Sequence, residues 1–169
     1  SRRRHLVLLA QNQKGLNNLF KLVSESYQPE NFYRYPRIDF EMLEKYGEGI
    51  IAASACLGGV YAGCYWEHRE EGEEAVLEAM RSLTKRFISV LGDRWHGELQ
   101  WNAVPEQHDL NRYVIQMHKE FNIPLISTAD SHYPNPTAWK DRELYKRLGW
   151  LGKGRPSWAE DGELPTEVD

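Results

Sequence analysis

Four short apolar runs, separated by stretches with helical periodicity, restrict this chain to an α/β architecture. Leu6-Val7-Leu8-Leu9-Ala10, Ile50-Ile51-Ala52-Ala53-Ser54-Ala55, Gly97-Glu98-Leu99-Gln100 and Ile123-Pro124-Leu125-Ile126-Ser127 are too short for buried helices and read as strands, the last running on to Asp130. Asn12-Gln13-Lys14-Gly15 breaks the first run. Leu16, Leu19, Phe20, Leu22 and Val23 then recur at helical spacing to about Tyr27. Asp39 is placed to cap a short helix through Tyr46, which Gly47 and Gly49 end. Residues 60–87 are helical in pattern, with an interruption near Gly72. Pro105-Glu106 opens a helix with Leu110, Tyr113, Val114, Met117 and Phe121 on one face, and Pro134 and Pro136 introduce a last helix through Leu148. The order β-α-α-β-α-α-β-α-β-α implies mainly parallel strands with helices outside. Four strands cannot close a barrel of the usual eight, so the sheet is open or lacks strands.

The composition shifts after Gly149. Gly152, Gly154, Pro156, Gly162 and Pro165, with acids and little apolar content, mark residues 151–169 as a linker or loosely docked tail behind one domain, residues 1–150. A formal net charge of -4 excludes nucleic-acid binding by bulk charge and leaves only local patches, such as Arg2-Arg3-Arg4 or Arg34 with Arg37. No apolar run approaches the length of a membrane span, and no secretory signal follows the basic start. Cys56 and Cys64 are the only cysteines, which suits reduced thiols and a cytoplasmic setting.

In a parallel α/β fold, polar groups at the carboxyl ends of strands converge on one face. Cys56 follows the second strand, and Asp130 and His132 follow the fourth. Glu98 lies within the third, and His5 opens the first. Thiolate, imidazole and carboxylate are all zinc ligands; His with Asp also suits manganese or iron, and the thiolate favours zinc. Each residue has a plainer reading. Cys56 is a small core residue in most such settings, His5 a packed or surface histidine, Asp130 a turn cap, and Glu98 the partner of a nearby Arg or Lys. His68, His96, His108 and His118 sit among charged neighbours and read as solvated. Trp139, Tyr145 and Trp150 read as helix-packing groups.

The series of motifs is more specific than any one of them. His5-Leu6-Val7-Leu8-Leu9-Ala10-Gln11-Asn12, Gly15-Leu16-Asn17-Asn18-Leu19, Pro36-Arg37-Ile38-Asp39, residues 49–59 from Gly49-Ile50-Ile51 to Cys56-Leu57-Gly58-Gly59, Glu98-Leu99-Gln100 with Pro105-Glu106-Gln107, and Thr128-Ala129-Asp130-Ser131-His132-Tyr133 follow in order. This series resembles the polymerase-and-histidinol-phosphatase (PHP) domain of bacterial or phage DNA polymerase III alpha subunits, over residues 5 to about 150.

The resemblance implies a distorted seven-stranded β/α barrel with a cluster of up to three divalent metals. It implies that His5 is the later lone His ligand, Cys56 a Cys ligand after a strand, and Asp130 and His132 the closing Asp-x-His pair. Glu98 matches a recurrent position with no ligand role attached, and no catalytic acid or base is implied within this stretch. The family opens with a His-x-His strand and further Asp, His and Glu ligands, none of which precedes His5 here. The expectation is therefore an incomplete barrel, the carboxy-terminal portion of the domain, arising from a split gene, intein excision or processing. Its partners would be the amino-terminal PHP segment, the polymerase core and, through the full enzyme, DNA, with self-association of the fragment as a further expectation. The function implied is metal-dependent phosphoesterase chemistry of the 3'→5' exonuclease type, serving DNA replication and inactive in the fragment alone. A non-catalytic scaffold for the polymerase or its proofreading partner is the first alternative. A metal-dependent amidohydrolase is a second, which Cys56 and the order of motifs disfavour.

Overall fold

The computed structural model of the chain describes residues 3–32 and 34–150. The expected tail at 151–169 lies outside the described residues, as do Arg2 and Tyr33. The chain divides into two compact units between Thr128 and Ala129.

The first unit contains strands β1 (Val7–Ala10), β2 (Ile50–Ala53), β3 (Trp95–Gln100) and β4 (Leu125–Thr128), and helices α1 (Gln13–Ser26), α2 (Phe40–Tyr46), α3 (Val60–His68), α4 (Glu73–Leu91) and α5 (Pro105–Phe121). The strands lie in one sheet in chain order. β2, β3 and β4 are parallel, as the alternation of elements implies. β1 departs from that rule and pairs antiparallel with β2, with Val7 opposite Ala53 and Ala10 opposite Ile50. Its reversal follows from the connection: an α1–α2 pair, with no crossover of the right-handed β-α-β kind, separates the two strands.

Local chemistry explains the boundaries. Asn12 ends β1 and starts α1, its side chain accepting from the Gly15 N–H at 2.9 Å, so the expected break is the first turn of the helix. Gly15 also lies against backbone: a Cβ there would sit 1.8 Å from the Gly49 carbonyl oxygen. Asp39 caps α2 through Met42 N–H at 2.9 Å. Gly72, at φ 105°, separates α3 and its short 3₁₀ extension from α4.

The core lies between the sheet and α3, α4 and α5. Trp95 is wholly buried, stacked on Phe87 at 3.9 Å with its edge toward Tyr61. Its indole N–H donates to the Tyr61 hydroxyl, which pairs with Thr84, so the polar atoms of this aromatic cluster are satisfied. Burial pushes the Tyr61 hydroxyl up to about 12. A smaller cluster, Leu22, Met42 and Ile50, holds α1 and α2 on β2. α1 packs through Gly15, Asn18, Leu22 and Ser26, whereas Leu16, Phe20 and Val23 of its sequence pattern face outward.

The second unit begins at Ala129. Its Asn135 carboxamide oxygen accepts from the Thr137 and Ala138 N–H groups and starts a 3₁₀ turn leading into α6 (Trp139–Trp150). Tyr145, expected to pack, is exposed. Among the described residues no helix is long and apolar enough to cross a membrane.

Candidate functional site

The antiparallel course of β1 places His5. In an all-parallel sheet a residue that opens a strand lies at the opposite end from one that closes its neighbour. Reversal of β1 brings its start to the carboxyl end of β2. The His5 N–H donates to the Gly58 carbonyl at 2.9 Å, and His5 makes a parallel bridge with Gly59. His5 Nδ1 stands 3.5 Å from Cys56 Sγ.

The segment after β2 is built to present this sulfur. β2 ends at Ala53, and Ala55 takes a left-handed backbone at φ 62°, an uncommon conformation for alanine that turns the chain toward Cys56. The Gly58 N–H lies 3.4 Å from Sγ as its donor, and the Gly59 N–H donates to the Cys56 carbonyl at 2.7 Å. Gly59 is sterically required, since a Cβ would lie 2.1 Å from the Ser54 carbonyl oxygen. α3 begins immediately afterwards.

The donor chemistry of this pair fits a shared cation. Bond lengths to tetrahedral zinc of about 2.0–2.1 Å for nitrogen and 2.3 Å for sulfur imply an N···S edge of about 3.6 Å. The 3.5 Å separation matches that edge. A Cβ on Gly58 would lie 3.1 Å from Nδ1 and 3.7 Å from Sγ, so the missing side chain leaves space beside both donors.

Asp130 and His132 belong to the second unit. Asp130 is left-handed at φ 49°, a conformation Asp tolerates better than most residues. His132 Nδ1 lies 2.6 Å from the Asp130 carbonyl oxygen. A carbonyl only accepts, so Nδ1 is the donor here, and Nε2 is the ring nitrogen left to face a metal. The structure thus brings His5 to Cys56 within the first unit, and within the second it sets the His132 ring on the Asp130 backbone carbonyl. Among the described residues, no three His, Cys, Asp or Glu side chains form a group that could hold a metal ion.

Glu98 is buried, and among the described residues no Arg or Lys pairs with it as expected. Its Oε1 accepts from Thr128 Oγ1 at 2.5 Å and from Gln100 Nε2 at 3.1 Å, and its backbone N–H donates to Ser54 Oγ at 2.9 Å. Oε2 has no hydrogen-bond partner. Glu98 therefore ties the ends of β2, β3 and β4 together and keeps one buried acceptor in reserve. The Glu98-x-Gln100 spacing signals one shared sheet face, but sequence carries no sign of these cross-strand partners.

A cleft of about 690 Å³ opens beside His5, lined also by Arg3, Arg4, Arg37, Asp39 and Phe40. Arg4 is committed to Glu67 at 2.6 Å, and Arg3 lies over the Tyr35 ring at 3.5 Å. Both cysteines are free thiols; burial pushes Cys64 up to about 11, with the neighbouring Glu67 charge adding to the effect. Of the histidines expected in solvent, His118 is half-buried, with Nδ1 2.8 Å from the Ile123 carbonyl, and His96 is also half-buried.

Comparison with known proteins gives a consistent result. A family model described as the PHP domain matches residues 1–100. The chain is 46% identical over 132 residues to the DNA polymerase III subunit alpha of Aquifex aeolicus, covering 78% of this chain and 11% of that protein. It is 39% identical over 132 residues to the corresponding subunit of Borreliella burgdorferi, with the same coverage, and 35% identical over 129 residues to that of Thermus aquaticus, covering 76% and 10%. The chain therefore spans about a tenth of the length of these relatives.

Proposed function

Because this chain belongs to the PHP domain family, we propose that it serves DNA replication as part of a DNA polymerase III alpha assembly, contributing ligands to a divalent-metal phosphoesterase centre. The sheet is then a portion of a distorted β/α barrel, and the polymerase core and DNA are the partners. The observation that carries this reading is the meeting at 3.5 Å of His5, just before β1, and Cys56, just after β2, made neighbours by the reversal of β1.

His5, Cys56, Asp130 and His132 are the proposed ligands. The thiolate makes zinc the first choice, with manganese or iron as alternatives. A bound divalent cation would supply an acidified water and an electrostatic clamp on a phosphodiester. The chain's own groups orient the donors. Gly58 N–H holds the Cys56 sulfur, and the Asp130 carbonyl holds the His132 proton on Nδ1. Glu98 steadies the strand ends. Arg3 and Arg37, which line the cleft beside His5, are the proposed contacts for substrate phosphate. Four ligands are fewer than a multi-metal centre requires, so further donors would complete it.

The scaffold reading draws its support from the lack of any three-residue ligand group among the described residues. Elemental analysis of the chain, purified alone and with the family's amino-terminal segment, decides between the two. Stoichiometric metal on the complemented protein, lost in Cys56→Ala/Asp130→Asn, supports the metal centre. No metal under either condition sinks it in favour of the scaffold.

A further inference from the structure

His5 stands before β1 and Cys56 after β2, so the ladder that joins those strands does not itself fix either side chain. The two arms touch through the His5 N–H and the Gly58 carbonyl. Each arm is also fastened to α3, and by consecutive residues of that helix. The Trp66 indole N–H donates to the Leu57 carbonyl at 2.9 Å, directly beside Cys56. The Glu67 carboxylate accepts from Arg4 Nη2 at 2.6 Å, directly beside His5.

The surface of α3 is shaped for the second contact. Gly63 lies one turn before Glu67 on the same face of the helix. A Cβ at Gly63 would lie 2.7 Å from Arg4 Nε and 3.2 Å from Cδ. The bare backbone is therefore the bed along which the Arg4 side chain runs to Glu67. Trp66 is preset in its turn. Its ring stands edge-on to Tyr65 at 5.0 Å, and the Arg69 guanidinium lies 4.9 Å from its centroid. The base of both anchors is rigid, because Tyr61, Ala62, Gly63 and Tyr65 bury α3 in the core.

The Arg4–Glu67 pair is a poor device for stability, since the Glu67 side chain is 54% exposed and ion pairs in water contribute little. What it constrains is position. It ties the residue before His5 to the same helix that Trp66 ties to the residue after Cys56, and between these ties Nδ1 and Sγ stand 3.5 Å apart. Ligand geometry of this kind depends on the groups that hold the ligands.

We propose that Trp66 and Glu67 are positioning residues, which, with Gly63 as the bed for Arg4, hold the His5 and Cys56 arms on α3 and set the nitrogen–sulfur edge of the cation site. This deepens the proposed function, on which the use of that edge rests.

The test applies two readouts to the full chain. Without metal, proton NMR reports the nuclear Overhauser contacts from His5 Hε1 to the Gly58 Hα and Cys56 Hβ protons. Cobalt(II) titration then reports affinity through the thiolate charge-transfer band. Trp66→Phe keeps an aromatic ring and loses the N–H, while Glu67→Arg sets a like charge beside Arg4. Each should weaken the His5 contacts and lower cobalt affinity about three- to tenfold, the worth of one hydrogen bond. Melting temperatures should stay within about 4 °C of the unsubstituted chain. Arg4→Glu added to Glu67→Arg exchanges the two signs and should recover most of both signals. Unchanged His5 contacts in both single variants, or no recovery on charge exchange, would overturn the proposal. So would a fall in melting temperature that matches the lost affinity, which would make the two residues ordinary parts of the fold. Weakened contacts with no cobalt bound even by the unsubstituted chain leave the positioning role standing and remove the metal centre. Cobalt binding that ignores both variants does the reverse.

Discussion

Gly58→Ala separates metal ligation from folding. Its added methyl would lie 3.1 Å from both Nδ1 and Cε1 of His5 and 3.7 Å from Cys56 Sγ. Comfortable carbon contacts fall at about 3.5–4.0 Å, so the ring must retreat by about 0.5 Å. The N···S separation of 3.5 Å already matches the edge of a shared cation site, and a displacement of that size spoils it. Disturbing the groups that orient metal ligands costs about 10–100-fold in affinity, or about 1.4–2.8 kcal/mol. The folding cost should stay below about 1 kcal/mol, because the obstructing atoms belong to the end of a side chain and can move. Cobalt(II) titration of the complemented chain, followed by the thiolate-to-cobalt charge-transfer band, reads the affinity; thermal melts read the folding. Unchanged affinity would refute the placement of the cation between His5 and Cys56. A melting temperature lowered by more than about 4 °C would refute the claim that ligation and folding are separable here.

Gly15→Ala should act on stability instead, since its Cβ would meet the Gly49 carbonyl oxygen at 1.8 Å; overpacking of this kind costs about 1–3 kcal/mol or more, measurable by urea denaturation. Trp95→Leu removes the stacked and hydrogen-bonded centre of the aromatic cluster and should lower stability by about 3 kcal/mol in the same assay. Arg81 is bonded to both Glu74 and Glu120 and holds the Glu120 carboxyl down to about 2. A depressed carboxylate contributes above its unfolded value, so the pair's contribution should be present above pH 4.5 and vanish as pH falls toward 2; Glu120→Gln should flatten that part of the stability profile. With its thiol near 11, Cys64 in a Cys56→Ser background should react with thiol reagents at pH 8 about a hundredfold more slowly than an ordinary cysteine.

Element order is legible in the sequence because strand and helix periodicities differ and because Asn12, Asp39, Gly72 and Pro105 punctuate them with side-chain or backbone chemistry. Strand direction is not. An apolar run carries no sign, so the reversal of β1, on which the meeting of His5 and Cys56 depends, emerges only from pairing. Periodicity likewise marks α1 as amphipathic without saying which apolar arc is buried. Leu22 lies in the core while Phe20 and Val23 do not, because small Gly15 lets the helix backbone close on Gly49. Glu98 looks like a surface ion-pair residue by type, yet Thr128 and Gln100 bond it inside the sheet from positions no local pattern connects.

Zinc K-edge X-ray absorption on the zinc-loaded, complemented protein tests the His5–Cys56 reading most directly. One sulfur at about 2.3 Å together with imidazole nitrogen at about 2.0–2.1 Å is expected. The sulfur should disappear in Cys56→Ala and part of the imidazole signal in His5→Ala. Zinc surrounded only by nitrogen and oxygen in the unsubstituted protein would contradict the reading, leaving the 3.5 Å contact as a hydrogen bond within the fold.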